Sequence, residues 1–212
     1  MQISLQLPRD LEPDFGEFKD RVAERIESGV LSIEAVQLLA RFGQLVYTQV
    51  AQLSLVARGD RTVLYTRHIL DSLNPLDIQS PPPPSALDIG SGGGFPGIPL
   101  AIVWPGTRVT ILESREKKAG FLERAVRELG IRNVTVACGR LEEYGRSWTA
   151  EPHRAVYVRA LGGRTLRPTS SSSSWVPPAR GSASLQSQQF DARPNPDPRL
   201  PHGMFHVKHW IK

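Results

Sequence analysis

The hydrophobic positions follow two different periods along the chain. From Phe15 to about Asn74, apolar residues recur at three- and four-residue spacing, which is typical of amphipathic helices with one buried face. The pattern predicts helices over 15–30 and 31–53 and a third over 62–73. A run of prolines at 81–84 then interrupts the pattern and predicts a stiff linker.

The next part of the chain alternates short apolar runs with helical stretches. Strands are predicted over 85–90, 108–113, 133–139 and 154–160. They are rich in Val, Ile and Leu, which is typical of strands that are buried on both faces of a sheet. Helices are predicted over 96–104 and 114–130, the second with Ser114 as its N-cap and Gly130 as its C-terminal stop. This alternation predicts an α/β fold, with a doubly wound, mostly parallel sheet that follows an N-terminal helical extension.

The periodic pattern stops after Gly163. The remaining stretch is dominated by Ser, Pro, Gln and Arg, and it cannot bury enough apolar surface to offset its chain entropy. The sequence therefore predicts three units: a helical extension over 1–80, a core over 85–163 and a disordered tail over 164–212. Four strands are few for a doubly wound sheet, so the C-terminal strands are expected to be missing and an edge to be exposed.

Composition and charge narrow the class of protein. The chain has 212 residues, of which 40% are hydrophobic and 22% charged, as in globular proteins. It shows no secretory signal and no apolar run near the ~18 residues of a membrane helix, so no membrane partner is expected. The single cysteine, Cys138, excludes an internal disulfide and favours the cytoplasm, and we expect a buried structural thiol there. A net charge of +5 favours an acidic partner such as nucleic acid.

A glycine-rich stretch follows the first predicted strand. Its Gly92-x-Gly94-x-x-Gly97 spacing matches the dinucleotide fingerprint, and an NAD-dependent oxidoreductase is therefore one alternative. However, a carboxylate at Asp88 would repel a pyrophosphate, and prolines in the next turn remove N–H groups that would bind one. A phosphate-binding P-loop is excluded because no Gly-Lys-Ser/Thr follows.

The arrangement Asp-x-Gly-x-Gly-x-Gly suits a positively charged ligand better. S-adenosylmethionine carries a sulfonium and an amino group, and glycines let the backbone approach it closely. Asp88, Gly90 and Gly92 are accordingly predicted to bind this cofactor. Glu113 ends the second predicted strand, where a carboxylate can accept hydrogen bonds from ribose hydroxyls. A glycine turn with ordinary surface acids is the simpler alternative.

Short motifs along 15–161 add a family resemblance. They are RHILDS at 67–72, PGIPLAI at 96–102, LEEY at 141–144 and VRA at 158–160. With them the chain resembles the small-subunit ribosomal RNA methyltransferase G family, also called glucose-inhibited division protein B. The resemblance implies a Rossmann-like, S-adenosylmethionine-dependent methyltransferase that acts on 16S rRNA or the assembling small subunit. A monomer is expected. The implied product is a guanine methylated at N7.

The resemblance also implies roles for individual residues. Gly90 and Phe95 would line the methyl-donor site, and Leu141 and Glu142 would hold the adenine end. Arg159, at the end of the fourth predicted strand, would contact the donor or the substrate entrance.

Basic residues outside the loop are candidates for RNA contacts. Arg67 and His68 belong to one family motif, and Lys117 and Lys118 lie at the start of the last predicted helix. For His68, a structural hydrogen bond to a neighbour such as Asp71 is an equal alternative. For the lysines, a solvated helix face paired with acidic residues is the alternative.

The implied reaction needs little from the protein besides position. Guanine N7 already presents a lone pair, so no proton has to be removed before it attacks a methyl group. No catalytic residue beyond positioning by Arg159 is expected, and no metal. A different class of function also fits: a non-catalytic RNA- or ribosome-binding protein that keeps a vestigial donor site.

Overall fold

A computed structural model describes residues 7–141, 143–144 and 153–158, and the backbone of 207–209. Its regular elements are α1 (Glu12–Glu27), α2 (Ile33–Leu53), α3 (Pro75–Ile78), β1 (Ser85–Ile89), α4 (Gly97–Val103), β2 (Arg108–Glu113), α5 (Glu116–Leu129), β3 (Val134–Cys138), β4 (Ala155–Val158) and β5 (Val207–His209). Helices α1 and α2 cover the first two stretches with helical periodicity. Ser32 caps α2, because its hydroxyl accepts a hydrogen bond from the Ala35 N–H at 3.1 Å.

The third predicted helix is not regular. A 3-10 turn at Arg58–Val63 is followed by a π-helical turn at Tyr65–Leu70. The buried carboxylate of Asp14 in α1 accepts hydrogen bonds from the backbone N–H groups of Tyr65 (2.6 Å) and Thr66 (3.1 Å). This distant cap sets the start of the turn, and the periodicity of 62–73 could not reveal it.

The sheet is parallel throughout, with strand order β3-β2-β1-β4-β5. Asp88 of β1 lies opposite Ile111 of β2 on one side and Tyr157 of β4 on the other. From β1 the chain places β2 and β3 on one side, and it places β4 and β5 on the other. The strand order therefore reverses between β1 and β4, and the carboxyl ends of these two strands form the switch point where ligands bind in such sheets. The predicted doubly wound α/β fold is thereby confirmed.

Two local expectations at the β3 side of the sheet are wrong. Strands β1 and β4 are buried along their whole length, but β3 is only partly buried and Cys138 is exposed. The reason is position, because among the described strands β3 pairs only with β2 and lies at the end of the sheet. Helix α5 begins at Glu116 after Arg115, not at a Ser114 cap, whereas Gly130 ends it in the left-handed conformation as predicted (φ 68°).

Strand β5 lies inside the stretch that was predicted as disordered. Its three residues pair in parallel with β4, from Val156 opposite Val207 to Val158 opposite His209. The free edge of β4 offers unpaired N–H and C=O groups, so a short extended segment can pair there whatever its apolar content. Positions 159–206 lie outside the described residues, and the predicted tail and unit boundaries stay predictions.

The N-terminal helices and the sheet share one hydrophobic core. Helix α2 packs against α4 and α5, and buried Phe18, Phe42, Ile98, Ile111 and Leu122 belong to a single cluster. A second, smaller cluster lies on the opposite face of the sheet, and its members are Leu87, Ile89, Leu112, Val156 and Val158. The helical extension is therefore packed as part of the sheet domain.

Candidate functional site

The glycine loop leaves the sheet at its switch point, directly after β1. Gly90, Gly92 and Gly94 have φ values of 69°, 59° and 95°. This left-handed region is strained for residues with a side chain, so the loop can follow this path only with glycine. The Gly90 N–H donates to the Leu112 carbonyl at 2.8 Å, which ties the start of the loop to β2.

Asp88 holds the glycine loop in place by accepting hydrogen bonds from it. Its side chain is 1% exposed, and its Oδ2 accepts hydrogen bonds from the Ser91 hydroxyl and, at 2.8 Å, from the Gly97 N–H. The carboxylate therefore joins both ends of the loop and satisfies an N–H at the start of α4. Burial, and then the negative charge of Asp88, raises the pKa of the Tyr157 hydroxyl on the neighbouring strand. Direct contact of Asp88 with a ligand stays a prediction.

Glu113 connects this loop to the one after β2. The residue is 6% exposed, its Oε2 accepts from the Gly92 N–H and its Oε1 from the Arg115 N–H, both at 2.9 Å. Each oxygen of an ionised carboxylate has two lone pairs, so one bond per oxygen leaves room for hydroxyl donors. The structure thus brings the two predicted carboxylates, Asp88 and Glu113, to one glycine loop.

Phe95 packs the glycine loop against side chains of the N-terminal helical region. Its ring is buried (4% exposed) and lies 5.3 Å from the Phe42 ring of α2 and 5.3 Å from the His68 ring. A Cβ added at Gly93 would lie 2.9 Å from the Leu55 carbonyl oxygen, so the segment after α2 also touches the loop closely. The implied role of Phe95 in lining the donor site stays a prediction.

Asp60 pairs with both basic residues of the RHILDS motif. Its Oδ2 accepts from His68 Nε2 at 2.9 Å, and its Oδ1 lies 3.2 Å from an Arg67 guanidinium nitrogen. The Arg67 side chain is 65% exposed, whereas those of His68 and Asp60 are largely buried. Sequence analysis missed Asp60, because a 3-10 turn and not a regular helix separates it from His68. An acidic residue eight positions upstream was the only available signal.

The two candidate lysines differ in their surroundings. Lys117 is exposed, whereas the Lys118 ammonium donates to the Ser54 carbonyl at 2.9 Å, just past the end of α2. Burial lowers the pKa of Lys118, and the nearby Glu113 charge partly opposes this shift. Both lysines line a cleft of about 480 Å³ whose other lining residues are Gln52, Leu53, Ser114, Arg115 and Glu116.

The implied adenine end is only partly described. Leu141 lies in a helical turn after β3 and packs on the smaller apolar cluster of the sheet. Glu142 and Arg159 lie outside the described residues, so their roles stay predictions.

The described part of the chain shows neither a metal-binding cluster nor a membrane-spanning helix. It contains no group of three or more His, Cys, Asp or Glu side chains placed to hold a metal ion. None of its helices has both the length and the apolar character needed to cross a membrane.

Comparison with known proteins points to one family. A family model described as rRNA small subunit methyltransferase G matches residues 35–170. A relative from Stenotrophomonas maltophilia (strain K279a) with the name ribosomal RNA small subunit methyltransferase G is 40% identical over 160 residues, 69% of this chain and 73% of the relative. One of the same name from Carboxydothermus hydrogenoformans is 39% identical over 124 residues, 58% of this chain and 52% of the relative.

The match to several curated relatives is partial. The chain spans about half the length of the first of them, including those from Lactococcus lactis at 35% identity. Among solved structures, a putative O-methyltransferase from Klebsiella pneumoniae is 16% identical with a TM-score of 0.44, over 58% of this chain and 53% of that one.

Proposed function

Because the chain belongs to the rRNA small subunit methyltransferase G family, we propose that it is an S-adenosylmethionine-dependent methyltransferase acting on N7 of a guanine in 16S rRNA. One observation carries the proposal: two buried carboxylates, Asp88 and Glu113, hold a glycine loop at the switch point of a parallel sheet. A negatively charged loop of this kind favours a cationic ligand over a pyrophosphate.

The chemistry of these residues fits the methyl donor. S-adenosylmethionine supplies a methyl group made electrophilic by the positive charge of the sulfur to which it is bound. Asp88 provides negative charge beneath the loop, and Glu113 keeps acceptor capacity for hydroxyl groups of a ribose. The other residues proposed to hold the donor are Gly90, Gly92, Phe95, Leu141, Glu142 and Arg159.

The substrate side of the proposal rests on charge and on the chemistry of guanine. N7 attacks with its own lone pair, so the residues of this chain need to bind and align the RNA rather than remove a proton. The net charge of +5 supports an RNA partner. Arg67, His68, Lys117 and Lys118 are the proposed RNA contacts, and the cytoplasm is the proposed location.

Calorimetric titration of the full chain tests the donor first. We expect S-adenosylmethionine to bind and NAD not to bind. Glu113→Ala removes the acceptor of two backbone N–H groups and should weaken donor binding by about tenfold or more, since hydrogen bonds to charged groups contribute about 1.5–3 kcal/mol. Glu123→Ala, an exposed acid further along α5, is the matched control and should leave binding unchanged.

Methyl transfer tests the substrate. Protein, radiolabelled donor and either naked 16S rRNA or small subunits are incubated, and the RNA is digested and analysed for 7-methylguanosine. Label in that nucleoside is the expected result. Donor binding without transfer to either substrate would contradict the proposal and support the non-catalytic RNA-binding alternative.

A further inference from the structure

A line of contacts connects the N-terminal helices to the glycine loop. Asp60 accepts the His68 Nε2–H at 2.9 Å, and the His68 ring packs on the Phe95 ring at 5.3 Å with 41° between the planes. The side chains of Asp60 and His68 are 15% and 12% exposed, so this hydrogen bond is largely shielded from water. Such shielding strengthens a charge-assisted hydrogen bond.

Phe95 sits where a displacement would change the loop. It follows Gly94 and lies two residues before Gly97, whose N–H is bonded to Asp88. Its ring contacts Phe42, which belongs to the regular helix α2. It also contacts the ring of His68, which comes from the π-helical turn.

We propose that Asp60 is a positioning residue for methyl-donor binding: its carboxylate holds the His68 ring against Phe95 and so maintains the shape of the glycine loop. Arg67 pairs with the second Asp60 oxygen at 3.2 Å and helps to fix the carboxylate in this orientation. The inference rests on the proposed function, because the donor is the ligand whose binding is measured.

The test compares donor affinity with loop order in the full chain. Asp60→Ala and His68→Ala should each weaken S-adenosylmethionine binding about two- to tenfold, the range that an aromatic pair contributes. Both should also speed amide hydrogen exchange in the 90–97 loop. Adding His68→Phe to Asp60→Ala should restore affinity, because a phenyl ring packs on Phe95 without needing a hydrogen-bond acceptor. The control is Asp77→Ala, an exposed acid paired with Arg25 at 2.7 Å, which should bind like wild type.

The outcomes separate this inference from the proposed function. Wild-type protein that does not bind the donor overturns the proposed function, and loop exchange then still reports on the Asp60 contact. Wild-type protein that binds, together with an Asp60→Ala variant of equal affinity and equal loop exchange, overturns the positioning role. So does a failure of His68→Phe to restore binding. If Asp60→Ala does not fold, Asp60→Asn keeps an acceptor oxygen for His68 and must retain wild-type affinity.

Discussion

Gly97→Ala should destabilise the protein through one added methyl group. The new Cβ would lie 2.7 Å from Asp88 Oδ2 and 2.9 Å from Ile111 Cγ1, closer than such atoms approach in proteins. Neither neighbour can move away easily, because Asp88 is 1% and Ile111 0% exposed and both lie on paired central strands. The overlap is therefore relieved by a shift of α4 away from the sheet.

The size of the effect follows from two terms. Overpacking a close-packed core costs about 1–3 kcal/mol. Shifting α4 also stretches the 2.8 Å hydrogen bond from the Gly97 N–H to Asp88, and a bond to a charged acceptor contributes about 1.5–3 kcal/mol. The same movement of α4 relieves the overlap and weakens the hydrogen bond, so the two costs do not add in full. We expect the free energy of unfolding to fall by about 2–4 kcal/mol.

Urea unfolding followed by tryptophan fluorescence measures this change, since Trp104 lies at the end of α4. The matched control is Gly16→Ala in α1, where an added Cβ meets no atom within 4 Å. That substitution should stabilise the protein by about 0.5–1 kcal/mol through helix propensity. A Gly97→Ala variant within about 0.5 kcal/mol of wild type would refute the steric reasoning, since overpacking alone should cost more.

Further substitutions test other parts of the molecule. In Gly43→Ala, the added Cβ would overlap the buried Tyr65 ring, so urea unfolding should show a free energy of unfolding lower by about 1–3 kcal/mol. Burial, and then repulsion by Arg108, holds the pKa of His153 below its ordinary 6.5. The unfolded chain therefore binds more protons below pH ~6.5, stability falls as the pH drops through this range, and His153→Gln should flatten that slope in urea unfolding at several pH values. Arg67→Ala should reduce the slope of log RNA affinity against log salt by about one, as expected for one lost phosphate contact; an unchanged slope would contradict the contact.

The sequence was most informative where local pattern decides structure. The central strands β1 and β2 and helix α5 follow apolar runs and periodicity, and they agree with the predicted ranges within a few residues. The glycine loop was predictable for a similar reason, because three left-handed positions in five residues require glycine. Local sequence is sufficient for such features.

Features that depend on distant contacts were not predictable. The π-helical turn at Tyr65–Leu70 is capped by Asp14, far upstream in the chain, and no window around the turn includes that carboxylate. The exposure of Cys138 depends on where β3 lies in the sheet, which its apolar composition does not encode. Asp60 became visible as the partner of His68 only when an irregular turn brought the two together.

The shared core has a consequence for how a new chain folds during synthesis. The ribosome releases α1 and α2 first, but α2 packs against α4 and α5, and α1 packs against the π-helical turn at Tyr65–Leu70, all of which are made later. The N-terminal helices cannot complete their packing until α5 has left the ribosome, so part of their apolar surface stays exposed until then. An isolated fragment of these helices should then be prone to aggregation, and the earliest stable unit should extend at least to the end of α5.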